Sequence, residues 1–319
     1  MNKILITGVS GFAGSFLATH LLASPENKIT GTYLSGKRLS SLDDIATKID
    51  LVKVDLMNQQ EVEKLIVDNQ PDVIYHLAAL ASPHESFKDP TLTFDTNITG
   101  QIHLLESLRK NNLVNTKVLI VSSAEVYGIV KEEDLPIDED TAFNPTSPYA
   151  VSKIAQDYLG LQYNLAYGIN ILRVRPFNHI GPRQTPQYVV SSFAKQIVEI
   201  EKGQKEPVLY VGNLNAKRDL TDVRDIVRAY SEVVLKGKTG SVYNIGSGKS
   251  VLISEVLDKL ISIAKVDIRI EVDESLLKPI DIPDNRCDRD RLTRDTGWEP
   301  RVPLETSLRD VLDYWRNIT

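Results

Sequence analysis

The chain has 319 residues, with 37 lysines and arginines against 43 aspartates and glutamates, a net charge of −6. That balance argues against a nucleic-acid binder, which carries a basic surplus or stripe, and the 42% hydrophobic and 25% charged residues exclude a disordered chain. A single cysteine, Cys287, excludes an intramolecular disulfide and a cysteine-based zinc site, so no metal is expected and a reducing, cytoplasmic setting is.

From the N-terminus, Lys3 to Thr7 reads as a short strand ending in glycine, and Phe12 to Leu22 has helical periodicity. The first apolar run is too short for a signal peptide, and no stretch approaches the ~18 apolar residues of a membrane span. Strand patterns follow at Lys28 to Leu34, Leu51 to Val54, Val73 to Leu77, Lys117 to Ser122 and Asn170 to Val174. Between them, Glu61 to Val67, Thr91 to Lys110 and Ser147 to Leu165 read as helices. Alternating strands and helices imply βαβ units, hence an α/β, doubly wound parallel sheet of Rossmann type with ligands at the strand C-termini. After about Arg175 the rhythm loosens, with helical patterns at Val189 to Lys202, Val223 to Lys236, Ile253 to Ala264 and Leu304 to Trp315. The expected organisation is a dinucleotide-binding domain over 1–175 and a smaller mixed α/β substrate domain over 176–319, interleaved with the first.

The first strand runs into Gly8-Val9-Ser10-Gly11-Phe12-Ala13-Gly14. Glycine permits positive φ and close backbone approach to a pyrophosphate. The following helix offers free N–H groups and a partial positive charge to that anion. The end of the second strand sets cofactor choice. It reads Thr32-Tyr33-Leu34-Ser35-Gly36-Lys37-Arg38, and no acid appears before Asp43. A carboxylate ~4 Å from a 2′-phosphate would cost about 4 kcal/mol at an effective dielectric near 20. Its absence, with Ser35, Lys37 and Arg38 in its place, predicts NADP(H) as the preferred cofactor, with NAD(H) possible. Asp55 and its neighbour Leu56, after the third strand, are expected at the adenine end.

Tyr149 and Lys153 in Ser147-Pro148-Tyr149-Ala150-Val151-Ser152-Lys153 are i and i+4, so they share one helix face. An ammonium beside a phenol favours the phenolate, and a phenol so tuned can exchange a proton with an alcohol or carbonyl. About 25 residues earlier a strand ends in Val121-Ser122-Ser123-Ala124-Glu125-Val126-Tyr127-Gly128, placing a hydroxyl at the same cleft.

The glycines at 8, 11 and 14, His76-Leu77-Ala78-Ala79, Asn97, Ser123, Tyr149 and Lys153 together resemble the extended short-chain dehydrogenase/reductases, the nucleotide-sugar epimerases, dehydratases and reductases. The resemblance runs in order along essentially the whole chain. It implies that Tyr149 is the general acid/base, that Lys153 binds the nicotinamide ribose and lowers the Tyr149 pKa, and that Ser123 holds the sugar C4 oxygen. It further implies that Asn97 orders the lysine or a water chain, and that Leu77, Ala78 and Ala79 line the cofactor. A homodimer through a four-helix interface including the Tyr149 helix is implied by the same analogy.

Two later runs, Arg175-Pro176-Phe177-Asn178-His179-Ile180-Gly181-Pro182-Arg183-Gln184 and Lys217-Arg218-Asp219-Leu220-Thr221-Asp222-Val223-Arg224-Asp225, resemble the GDP-linked branch. Both look closer to its GDP-4-keto-6-deoxy-D-mannose reductases than to its GDP-mannose 4,6-dehydratases. By that likeness the substrate is a GDP-linked 4-keto-6-deoxy sugar, contacted by Asn178, Arg183, Lys217 and Arg218. Glu125 stands where the 4,6-dehydratases carry a catalytic acid that strips the C5 proton, so dehydratase or epimerase chemistry stays open. Ala124 lacks the aspartate of the dTDP-glucose dehydratases. Lys278-Pro279 replaces an Arg-Pro that contacts the nucleotide, and lysine keeps the charge but loses the bidentate fork.

Overall fold

The computed structural model describes residues 2–277 and 282–319; the side chains of Lys37 and Arg38 also lie outside the description. In chain order the first half carries β1 (Asn2–Thr7), α1 (Phe12–Leu21), β2 (Asn27–Tyr33), β3 (Asp50–Lys53), α2 (Gln59–Asn69), β4 (Val73–His76), α3 (Pro83–Lys88), α4 (Pro90–Phe94), α5 (Gly100–Lys110), β5 (Lys117–Val121), α6 (Pro148–Tyr167) and β6 (Ile171–Pro176). The second half carries β7 (Asn178–Ile180), α7 (Val189–Glu201), β8 (Val208–Val211), β9 (Lys217–Asp222), α8 (Val223–Lys236), β10 (Val242–Ile245), β11 (Ser250–Leu252), α9 (Ile253–Ser262), β12 (Arg269–Val272), α10 (Asp290–Thr296) and α11 (Leu304–Ile318).

Seven strands form one sheet in the order β3-β2-β1-β4-β5-β6-β10, every pair parallel. Successive residues of a strand point to opposite faces. Leu5, Ile74, Val118, Ile120 and Ile171 therefore pack against Val62, Leu65, Leu104, Leu108 and Tyr163 of α2, α5 and α6. Ile4, Ile6, Tyr75, Leu119, Leu172 and Val174 face the other way, onto Leu17 and Leu21 of α1 and Ile226, Tyr230 and Val233 of α8. A sheet buried on both faces must be built of such continuous apolar runs. A third core joins α7, α9, α11 and β8 through Phe193, Ile197, Leu209, Val256, Leu260, Val311 and Trp315. The remaining strands form a sheet in the order β11-β9-β7 and the pair β12-β8. None of the described helices is long and apolar enough to cross a membrane.

The helix expected over Thr91 to Lys110 is interrupted. α4 passes through a wide π turn, Asp95–Thr99, before α5 begins. That turn carries Asn97, whose Oδ1 accepts from the Leu80 N–H at 2.8 Å while Nδ2 donates to the Ser152 hydroxyl at 2.9 Å. Single wide turns of this kind often mark functional positions. The strand order reverses beside β1, between β2 and β4, which opens a crevice at the strand C-termini.

Candidate active site

The Gly8–Gly14 turn opens this crevice. Gly8 has φ +73°, and a Cβ there would meet the Ala78 backbone at 3.0 Å. The Gly11 N–H donates to the Gly8 carbonyl at 3.0 Å, and a Cβ on Gly14 would lie 2.3 Å from that same oxygen. Only hydrogen fits at Gly14, and at Gly8 the positive φ and the close Ala78 backbone both disfavour a side chain. α1 has no acid in its first turn and no side-chain cap, so its leading N–H groups stay available to an anion. Phe12, at its first position, stacks on the His179 ring with centroids 5.7 Å apart. The Ser10 carbonyl accepts from the Ser41 hydroxyl, tying the turn to the segment after β2.

That segment is a 3-10 turn, Gly36–Leu42, entered through the exposed Ser35. Arg183, expected at the sugar nucleotide, reaches this segment. Its backbone turns at φ +73°, its Nη1 donates to the Ser41 carbonyl at 3.0 Å and its Nη2 to Asp44 at 3.2 Å. Asp55 is exposed beyond β3 and accepts from the Met57 N–H, while the half-buried Leu56 presents its carbonyl to His103. Leu77, Ala78 and Ala79 follow β4, with the Ala78 N–H on Thr7 Oγ1 at 3.2 Å. Thr7 Oγ1 also meets Nδ1 of the buried His76, which burial, and then the Lys153 charge, hold at a pKa of about 3.

The second cluster sits on α6 and the end of β5. Ser147 caps α6 by accepting the Ala150 N–H, and Pro148 occupies the first turn. The Tyr149 side chain is buried, with its hydroxyl beside Ser123. Ser123 also accepts from the N–H of the half-buried Glu125 at 3.2 Å. The structure does not carry the lowered phenol pKa that the i, i+4 spacing implies. Burial pushes Tyr149 up, the Ser123 bond opposes it, and the Tyr188 and Glu125 charges push it further up. The reason lies in where the lysine points. Lys153 Nζ is 6.0 Å from the Tyr149 ring centroid and donates to the Val121 carbonyl and to Gln156 Oε1, each at 2.7 Å. Burial lowers its own pKa to about 7, against the raising effect of Asp157.

The side expected to face the sugar is assembled from distant segments. Asn178 starts β7 opposite Leu220 of β9, and its buried Oδ1 has no partner among the described residues. Arg218 is half-buried, with Nη1 on the carbonyls of Lys217 and Ile282 at 2.7 Å each, while Lys217 is exposed. Lys278 lies outside the described residues. Between them sits a residue that the sequence reading passed over, Asp219. Its buried carboxylate accepts from Ser247 N and Oγ, Gly248 N and Cys287 N, at 2.6–3.2 Å. It thereby ties β9 to the loop after β10 and to an extended strap at 282–288. That strap also takes the Lys217 and Asp219 N–H groups on the Pro283 and Asn285 carbonyls. Burial raises the Asp219 pKa, against these four bonds.

A second missed group lies one helical turn beyond Lys153. Asp157 is fully buried between Arg173 and Arg175 of β6, with Arg175 Nε on Oδ2 at 2.7 Å. Arg175 continues to Tyr127, and Tyr127 to Asn244 of β10. The i+4 spacing from Lys153 was the available signal.

The sequence profile of the family described as GDP-mannose 4,6 dehydratase matches residues 5–311. The chain is 34% identical to a GDP-6-deoxy-D-mannose reductase from Pseudomonas aeruginosa, covering 99% of this chain and 98% of that one. It is 30% identical to a GDP-mannose 4,6-dehydratase of Yersinia enterocolitica, over 98% and 93% respectively. Among solved structures it resembles RMD from Pseudomonas aeruginosa complexed with NADPH, with TM-score 0.86, 32% identity and full coverage of both chains.

Proposed function

The chain belongs to the GDP-mannose 4,6-dehydratase family of extended short-chain dehydrogenase/reductases, NAD(P)-dependent nucleotide-sugar enzymes, and from that premise we propose a specific reaction. It reduces the C4 ketone of GDP-4-keto-6-deoxy-D-mannose with NADPH, giving GDP-D-rhamnose, or GDP-6-deoxy-D-talose if the hydride reaches the other face.

The Gly8–Gly14 turn would hold NADP(H), with Ser35, Lys37 and Arg38 as the proposed 2′-phosphate contacts, and the bound cofactor would supply the hydride. Tyr149 gives its proton to the oxygen developing at C4. The buried Tyr149 phenol, kept protonated by its burial beside Ser123, is the observation that carries this reading, because a reduction needs a proton donor at that oxygen. The Ser123 hydroxyl donates to the same oxygen as charge builds there. Lys153 would face the nicotinamide ribose, and Asn97 fixes the Leu80 backbone and the Ser152 hydroxyl around it. Asn178, through its amide Nδ2, and Arg218, with Lys217 and Lys278, would take the nucleotide diphosphate.

A second reading is favoured by Glu125, whose charge acts on Tyr149 from the same cleft. There Glu125 would take the C5 proton of a GDP-mannose oxidised at C4, the C6 hydroxyl would leave as water, and the hydride would return to C6 with no net NADPH consumed. The test is NADPH absorbance with the keto sugar and, in parallel, with GDP-mannose alone. Decay with the keto sugar supports the reductase. A 4-keto product from GDP-mannose without decay selects the dehydratase.

A second copy of the chain is proposed to cover Val151, Tyr158 and Leu165. They repeat every seven residues along α6 and stay exposed, Leu165 at 77%. Leu165→Glu is expected to halve the mass seen by light scattering; an unchanged mass would refute the dimer.

A further inference from the structure

We propose that Gln156 is a positioning residue that aims the Lys153 ammonium at the cofactor. Lys153 Nζ carries three protons. One goes to the Val121 carbonyl and one to Gln156 Oε1, both at 2.7 Å, which leaves the third for a ligand. Both anchors are rigid. Val121 ends β5, and the next residue, Ser122, donates its hydroxyl to the Lys153 carbonyl at 3.0 Å. Gln156 is buried at i+3 on α6, and its own carbonyl accepts from Gln101 Nε2 of α5 at 2.7 Å.

The chemistry of the amide matters as much as its position. The charged and titratable groups facing Nζ are Asp157 from α6, His76 from β4 and Tyr149. Asp157 is already engaged by Arg173 and Arg175, and His76 stays neutral. Gln156 therefore supplies an acceptor without a countercharge. The ammonium is fixed in direction yet left uncompensated toward an incoming ribose and diphosphate. An apolar residue at 156 would release it, and a carboxylate would neutralise it.

The proposal rests on Lys153 being a cofactor contact and is independent of which sugar is reduced. It is tested by titrating the full chain with NADPH alone, following fluorescence across neutral to alkaline pH. The variants are Gln156→Met, Gln156→Glu and Lys153→Met. The parent should lose affinity as pH rises through about 7, where Lys153 gives up its proton. Gln156→Met should weaken NADPH about tenfold, the scale of one charge-assisted hydrogen bond, and start that loss at lower pH. Gln156→Glu should restore most of the affinity and move the loss to higher pH, because its carboxylate favours the ammonium. The proposal is overturned if Gln156→Met binds NADPH within twofold of the parent with an unmoved pH profile. It is also overturned if both Gln156 variants shift the profile in the same direction, the mark of packing alone. Should Gln156→Met fail to fold, an unmoved profile in Gln156→Glu decides against it. Lys153→Met binding as the parent does would overturn the reading of the lysine itself.

Discussion

The two ends of the crevice are built differently. The cofactor end is a continuous stretch, Gly8 to Gly14, shaped by its own backbone and closed against Ala78. The sugar end draws on β7, β9, the loop after β10 and the 282–288 strap, and one carboxylate, Asp219, holds three of these together. The phosphate cradle needs only the absence of side chains. The sugar site needs particular side chains held by other side chains. On the proposed assignment, cofactor recognition is therefore a local property of the chain, and sugar recognition a property of its tertiary assembly.

The comparison breaks most visibly at the residue that both ends share. Tyr149→Phe is expected to cut turnover about 10²- to 10⁴-fold, the range of general acid catalysis, while NADPH and GDP binding persist; steady-state kinetics beside calorimetry would show it. Full turnover in Tyr149→Phe would end the proposed mechanism. Next is Gly14→Ala, whose added carbon meets the Gly8 carbonyl at 2.3 Å. An overpacked turn costs roughly 1–3 kcal/mol of stability, and NADPH affinity should fall while a bound GDP-sugar is little affected. Asp219→Asn should do the reverse. It places an amide against four donors, leaving buried groups unpaired at roughly 1–3 kcal/mol. Its signature is a raised sugar-nucleotide KM with NADPH binding retained, and equal loss of both ligands would contradict the division drawn above. Arg183→Ala should be smallest, under about 1 kcal/mol in thermal melting, since its Asp44 partner is largely exposed. A marked rise in sugar KM there would return Arg183 to the substrate.

What was legible follows the same line. The alternation of apolar strands with helical stretches indicated the parallel sheet, and the glycines with Tyr149, Ser123 and Lys153 marked the crevice, because each signal is short-range and periodic. β10 was not legible, since Val242–Ile245 carries no pattern that says it will pair with β6, sixty-six residues or more before it in the chain being irrelevant to a four-residue run. Asp219 carries no local signal, because four of its five donors come from residues 28 to 68 positions away. The Lys153 direction was misjudged for a related reason. Spacing along a helix gives the shared face of Tyr149 and Lys153, while the acceptors that draw Nζ aside include the carbonyl of Val121, 32 residues back on a strand.

The seventh strand has a practical consequence for anyone dividing this protein. A fragment stopping at 175 would leave β6 with a bare edge where β10 belongs, and would strip α8, with Tyr230 and Val233, from one sheet face. Trp298, buried in the same core, would go with them. Such a fragment should aggregate rather than fold. Exchanging sugar specificity between relatives by swapping halves would fail for the same reason, whereas transplanting the β9 segment together with the strap that Asp219 secures keeps every sheet edge paired.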